Sequence, residues 1–282
     1  MRLRISYLLD STLRLLVGDP AVPYKTGTGF LYVYSDVNNV IPDQDEDPDV
    51  YVVTSKHLFD NFPTDAITTI GVNFASGSIA GKLQGTFKVG DWSRSSTADV
   101  AVLPVPFSDL KAHGALADLV LTSSSVVTRR NAYAVGAYEG ARVLIVGFPI
   151  GWRPSQQDFS ITRDGVIGEI RGWMSSEHDT ILVSGAIYPG NSGSPVVLES
   201  GDADPSDSSG LQYRLVGMAI SRAMSPLHEN PAMSENADIA HVLPMDVVDD
   251  LIRSVNQQQF PLSTLPDSSE GEEPSPPDDA GD

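Results

Sequence analysis

Tyr188-Pro-Gly-Asn-Ser-Gly-Ser-Pro195 runs directly into Val196-Val-Leu198, a glycine-rich turn set against a short β-branched run. At average residue usage, a Gly-x-Ser-Gly-x-Pro match arises by chance in a chain of this size about one percent of the time. Gly190 and the backbone of Ser192 can turn two N–H groups toward one point, which is what an oxyanion developing on an attacked carbonyl requires. Gly193 leaves room beside the Ser192 hydroxyl, and Pro195 fixes the exit into the next strand. Taken alone, the octapeptide fits a serine in a tight turn equally well, so its reading depends on the rest of the chain.

Around this turn the chain reads as short strands. Residues 28–34, 50–54, 67–74, 99–103, 142–146, 180–183, 194–198 and 213–220 are rich in β-branched and aromatic residues, and Gly, Asp, Ser and Pro clusters punctuate them. No βαβ alternation and no repeat period appear, so the expectation is an all-β protein. Leu3 to Val17 carries both signals, Ile5, Leu8, Leu9 and Leu13 at helical spacing and Leu13, Leu15 and Val17 at strand spacing, and the expectation is a turn of helix followed by a strand. Near the end, Val247, Val248, Leu251, Ile252 and Val255 form one helical stripe, with Pro244 suited to the first turn.

The 282 residues suffice for one large domain or two small ones. With 18 Lys and Arg against 37 Asp and Glu the formal charge is −19, a field that repels nucleic acid and anionic membranes alike. Cysteine is absent, which excludes disulfides, thiol catalysis and cysteine-ligated zinc. No apolar run reaches the length of a membrane helix and Met1–Leu16 lacks a small-residue cleavage site, so the expectation is a cytoplasmic protein. Residues 261–282 carry five prolines, seven acids and no basic residue, the composition of a disordered acidic tail. Five acids crowd 43–49 in an alternation that lacks the glycine and terminal glutamate of an EF-hand, so it reads as a solvated loop with no metal called for. Gly201–Gly210 reads as a hairpin loop. Trp92, Trp152 and Trp173 show no stacking pattern and read as packing residues.

A serine hydroxyl needs a positioned base. Of five histidines, His57 stands where the run Tyr51-Val-Val-Thr-Ser-Lys-His57 ends and the chain turns. His113, His178 and His228 lie in polar loops or turns, and His241 sits in an apolar run that suits a wall histidine. The acid that orients a base should be shielded and followed by buried strand, and Asp99 in Ala98-Asp-Val-Ala-Val-Leu103 fits. The chain order His57, Asp99, Ser192 is that of the chymotrypsin-type triad and not of subtilisin or the α/β-hydrolases.

These blocks resemble the trypsin-like serine peptidases of the HtrA/Deg type. The resemblance spans about residues 12–255 and rests on Thr26-Gly-Thr-Gly-Phe30, Val53-Thr-Ser-Lys-His57, Ala98-Asp-Val-Ala-Val-Leu103, Ile145-Val-Gly-Phe-Pro-Ile-Gly151 and Gly185-Ala-Ile-Tyr-Pro-Gly-Asn-Ser-Gly-Ser-Pro195, with a weaker match at Ile239-Ala-His-Val-Leu-Pro244. It implies two antiparallel six-stranded β-barrels: 1–115 carrying His57 and Asp99, a linker at 116–140, and 141–260 carrying Ser192 and the final helix, before the tail at 261–282. It further implies His57 as general base, Asp99 as its orienting acid and Ser192 as nucleophile. The oxyanion hole would come from Gly190 and Ser192 with help from Asn191. Digestive members hold an acid at the place of Asn191, paired with a new N-terminal ammonium, and a neutral residue cannot make that pair. Regulation by loop ordering is the implied alternative, with 43–49 in the place of one such loop. The pocket floor falls on Ala186 and the opposite wall on Ile220, Ser221 and Arg222, which implies a small or medium apolar side chain before the cut bond.

Two positions depart from the family pattern: Lys56, where a small or amide residue is usual, and Ser194, where Gly is common. After Leu243 only the helix and tail remain, so no PDZ domain is expected. The function expected is a gated serine endopeptidase acting on protein or peptide substrates, with a regulatory partner and without cofactor. A peptidase fold used only to bind a partner, or an esterase using the same site, are the alternatives.

Overall fold

A computed structural model describes residues 5–18, 25–34, 49–74, 81–106, 121–122, 125–151, 159–200, 212–226 and 234–259. The acidic run 43–48, the loop 201–210, the tail, His113, His228 and Trp152 lie outside them. The order is helix α1 (Ile5–Ser11), β1 (Thr12–Val17), β2 (Lys25–Tyr34), β3 (Asp49–Thr54), β4 (Ile67–Phe74), β5 (Gly81–Lys88), β6 (Ser93–Arg94), β7 (Ala101–Val105) and β8 (Leu121–Thr122). Then follow β9 (Arg142–Gly147), β10 (Ile161–Glu169), α2 (Arg171–Met174), β11 (Ile181–Ser184), β12 (Ser194–Ser200), β13 (Gln212–Pro226), β14 (Ser234–Pro244) and α3 (Met245–Gln259). The all-β reading holds, as does the short helix leading into a strand at the N-terminus.

β10-β11-β14-β13-β12-β9 closes into the expected six-stranded barrel. The first sheet differs from a closed six-stranded barrel. Among the described residues its order is β5-β4-β1-β2-β3-β7-β6, with β8 pairing β2 in parallel, so it is an open eight-stranded sheet.

Each sheet has an apolar interior. Leu13, Leu15, Leu31, Val52 and Trp92 fill the first, where Trp92 lies against Phe59 with ring centroids 4.9 Å apart. Val143, Ile145, Ile167, Trp173, Val183 and Val196 fill the second. A third cluster joins the two sheets: Phe30, Tyr32 and Val53 from the first meet Val146, Val197 and Met218 from the second. α3 seals this junction with Met245, Val248, Ile252 and Val255, while Val247 and Leu251 of the expected stripe are only partly buried. Tyr32 Oη donates to Asp249 Oδ1 at 2.7 Å and Tyr51 Oη donates to Asn256 Oδ1, so α3 is pinned to the first sheet by hydrogen bonds as well as packing.

Candidate active site

β3 ends at Thr54, and the chain then tightens into a 3-10 turn over Lys56–Phe59 that carries His57 off the strand end. Leu58 and Phe59 anchor the turn in the first sheet's interior and leave the His57 side chain 39% exposed. Two lysines brace it. Lys25 Nζ donates to the carbonyls of His57 (3.1 Å) and Asp60 (2.9 Å), and Lys56 Nζ donates to the carbonyl of Ser95 at 2.9 Å. The Lys56 contact fixes the segment leading to Asp99, and Ser95 Oγ accepts the Ala98 N–H at 3.1 Å to hold the same turn. The departure at Lys56 thus has a structural role.

Asp99 receives His57 twice: Oδ2 lies 2.7 Å from Nδ1, and Oδ1 accepts the His57 backbone N–H at 2.9 Å. Burial pushes the Asp99 carboxyl up, but the hydrogen bonds from the His57 ring and amide, with the charges of His57 and Lys56, outweigh it and hold the group below the ordinary carboxylate range. With Nδ1–H directed at Asp99, Nε2 is the ring nitrogen left to accept a proton.

The Ser192 turn sits on β2 and β3. Thr28 N–H donates to the Ser192 carbonyl at 2.9 Å, and Gly193 N–H donates to the Ala219 carbonyl at 2.8 Å. Gly193 has φ +90°, and a Cβ on it would lie 1.8 Å from the Thr28 carbonyl oxygen and 2.6 Å from Thr54 Oγ1. Only glycine lets the turn approach the end of β3, three residues before His57, this closely. Gly190 also has positive φ, at +96°. Among the described residues neither the Gly190 nor the Ser192 amide donates to a backbone carbonyl. The Pro189 carbonyl accepts the Ile150 N–H, and in a trans peptide that turns the Gly190 N–H to the opposite side.

Asn191 is fully buried with its groups engaged: its N–H donates to the Tyr188 carbonyl, Oδ1 accepts the Tyr188 N–H at 3.1 Å, and Nδ2 donates to Ser194 Oγ at 3.3 Å. These bonds brace the turn from within.

Ala186 is half-buried beside Gly185, whose N–H donates to the Asp238 carbonyl at 2.8 Å. Ile220 is the extra residue of a β-bulge between Ala219 and Ser221, a device that re-aims a side chain beside a site. Ser221 is exposed and Arg222 half-buried, with its Nε 3.3 Å from Met224 Sδ. His241 is half-buried on β14 between Leu182 and Ser221, as a wall residue. A cavity of about 720 Å³ opens beside Asp99, walled by Ser95, Thr97, Ile220, Val247 and Leu251; Ser192, His57 and Ala186 do not line it. Sequence reasoning missed Lys25, Thr28 and Thr54. Their only signal was position, within a glycine-flanked strand and at the strand end before His57. No His, Cys, Asp and Glu group among the described residues is arranged to hold a metal.

The sequence profile of a family described as trypsin-like peptidase domain matches residues 27–203. No curated relative matches the sequence. Among solved structures, the HtrA-type protease AlgW with tripeptide is similar in fold, with a TM-score of 0.51 at 15% identity. The match covers 90% of this chain and 63% of that one, so the chain spans under two thirds of its length.

Proposed function

We propose that the chain, which belongs to the trypsin-like peptidase domain family, is a serine endopeptidase with Ser192 as nucleophile, His57 as general base and Asp99 as the acid that orients it. The observation that carries the reading is the double contact of Asp99 with His57, at 2.7 and 2.9 Å, on a turn braced by two lysines. Such an arrangement selects one imidazole tautomer and stabilises the imidazolium that forms when the serine proton is taken.

In the reaction Ser192 Oγ attacks the peptide carbonyl and its proton passes to His57 Nε2. The amides of Gly190 and Ser192 bind the oxyanion, and His57 returns the proton to the leaving amine. Water then attacks the acyl-enzyme by the same route. Ala186, small and uncharged, supports cleavage after small or medium apolar residues, with Ile220, Ser221 and Arg222 as the facing wall. Gating falls on the Pro189–Gly190 peptide, since its contact with Ile150 sets where the Gly190 amide points.

Fluorophosphonate labelling of wild type beside Ser192→Ala, read by intact mass, tests the proposal. One adduct on wild type and none on the variant is expected, followed by cleavage of a peptide library. Ester turnover without peptide cleavage would instead favour an esterase, and a wild type that neither labels nor cleaves would reject the assignment.

A further inference from the structure

Thr28, in the middle of β2, is fully buried with every polar atom engaged. Its N–H donates to the Ser192 carbonyl at 2.9 Å, and its carbonyl accepts Thr54 Oγ1 at 2.7 Å. Its hydroxyl donates to the Gly190 carbonyl at 2.7 Å and accepts the Phe148 N–H at 3.0 Å. One residue of the first sheet therefore holds the carbonyls of both residues whose amides are assigned to the oxyanion hole, and ties them to the segment that follows β9.

Gly190 is free to adopt either peptide orientation, so the direction of its amide is decided by what holds its two flanking peptides. Ahead of it, the Pro189 carbonyl is held by the N–H of Ile150, an exposed β-branched residue at φ +56°, where such side chains are rarely found. Behind it, the Gly190–Asn191 peptide is held by the Thr28 hydroxyl at one end and by the Tyr188 carbonyl, 2.9 Å from the Asn191 N–H, at the other. The first hold is strained and at the surface; the second is buried and unstrained.

The space around the hydroxyl is closed. A Cβ on Gly147 would lie 2.0 Å from Ser194 Oγ, 2.9 Å from Thr28 Oγ1 and 3.0 Å from Asn191 Nδ2. The backbone of Gly147 thus lies close against this polar cluster. Loss of the hydroxyl orphans a buried N–H on Phe148 and a buried C=O on Gly190, and the cheapest relief is rotation of the Gly190 peptides.

We propose that the Thr28 hydroxyl is a positioning group for the oxyanion hole, relaying the Phe148 N–H to the Gly190 carbonyl across the junction of the two sheets and so holding the Gly190 amide toward the reacting carbonyl. The inference rests on the peptidase reading above and adds to it a residue outside the triad and the hole.

The test compares kcat, KM and inhibition by a peptide aldehyde for wild type, Thr28→Val and Thr28→Ser, with Thr12→Val as control. Thr12 Oγ1 is a buried hydroxyl bonded to the Leu8 carbonyl at 2.7 Å, and its loss lowers stability without touching the site. Losing a direct oxyanion donor lowers kcat about 10²- to 10³-fold, so losing its positioning group is expected to lower kcat by roughly 10- to 100-fold in Thr28→Val. KM should stay within about twofold, and the aldehyde, whose adduct places an oxyanion in the hole, should weaken by the same factor as kcat. Thr28→Ser should restore kcat to within about threefold, and Thr12→Val should lower the Tm with kcat unchanged. Should Thr28→Val not fold, Thr28→Cys takes its place, with kcat below that of Thr28→Ser at equal KM. An active wild type whose Thr28→Val or Thr28→Cys keeps kcat, or loses it together with Thr28→Ser, overturns the role of Thr28 alone. A wild type without turnover overturns the peptidase reading, and this inference with it.

Discussion

Asp249, on α3, sets the pH dependence of the helix that closes the junction between the sheets. Burial pushes its carboxyl up to about 6, against the stabilising effects of the Tyr32 hydrogen bond and the Arg253 charge, with Asp246 and Asp250 adding to the rise. The folded protein thus holds this proton more tightly than the unfolded chain, whose carboxyl titrates at the ordinary 3.8. Below that value the group is protonated in both states and has no effect. As pH rises through the window it ionises first in the unfolded chain, and above about 6 the folded state bears the full penalty. A shift of about two pKa units corresponds to about 3 kcal/mol, of which about half is present by pH 5. Asp249→Asn removes the titration and keeps an acceptor for the Tyr32 hydroxyl. Urea unfolding at pH 5 and pH 8 should show the variant more stable than wild type at both, with the gap widening by about 1.4 kcal/mol at pH 8. Parallel pH profiles for the two proteins would refute the reasoning.

Two further outcomes follow from the site. Asp99→Asn keeps the shape around His57 but removes the acceptor that selects its tautomer, so kcat should fall on the order of 10⁴-fold with KM little changed, measured on any peptide that wild type cleaves. Gly193→Ala drives a methyl against the Thr28 carbonyl at a left-handed φ, and the neighbour is backbone that cannot swing away. Both the Tm and fluorophosphonate labelling should drop, and a variant that labels like wild type would show that the turn has room the geometry denies it.

What was legible in the sequence was what packing dictates locally. β3 and β9 are unbroken apolar runs buried within their sheets and read as strands at once. β10 did not, because Thr162, Asp164 and Val166 face outward and two glycines interrupt it. It is a strand because it pairs with both β9 and β11, and Gly165 lets the ladder close, since a Cβ there would lie 3.0 Å from the Ser184 carbonyl. The same division holds at the site. His57 and Asp99 stood out because each adjoins a buried strand, and they meet at 2.7 Å. Lys25, Lys56 and Thr28 act on backbone carbonyls far away in sequence, and a bond to a carbonyl leaves no complementary side chain for a reader of the chain to find.

The two sequence oddities of the serine turn, Asn191 and Ser194, are best understood together. A carboxylate at 191 would be fully buried and would need a cation beside it or a raised pKa to persist. The amide avoids the charge but brings two N–H donors into the same closed space, and a donor left unpaired there is itself unfavourable. The Ser194 hydroxyl lies 3.3 Å from Nδ2 and accepts one of the two, which a glycine at 194 could not. Its Oγ occupies the space that a Cβ on Gly147 would need, so Gly147 is as much a part of the pairing as the two side chains. The turn that carries Ser192 is therefore held by neutral groups of its own chain, by Thr28 beneath it and by Ile150 at its edge. The buried holds on this turn come from neutral groups, which leaves the exposed Ile150 contact as the place where the turn is most readily released.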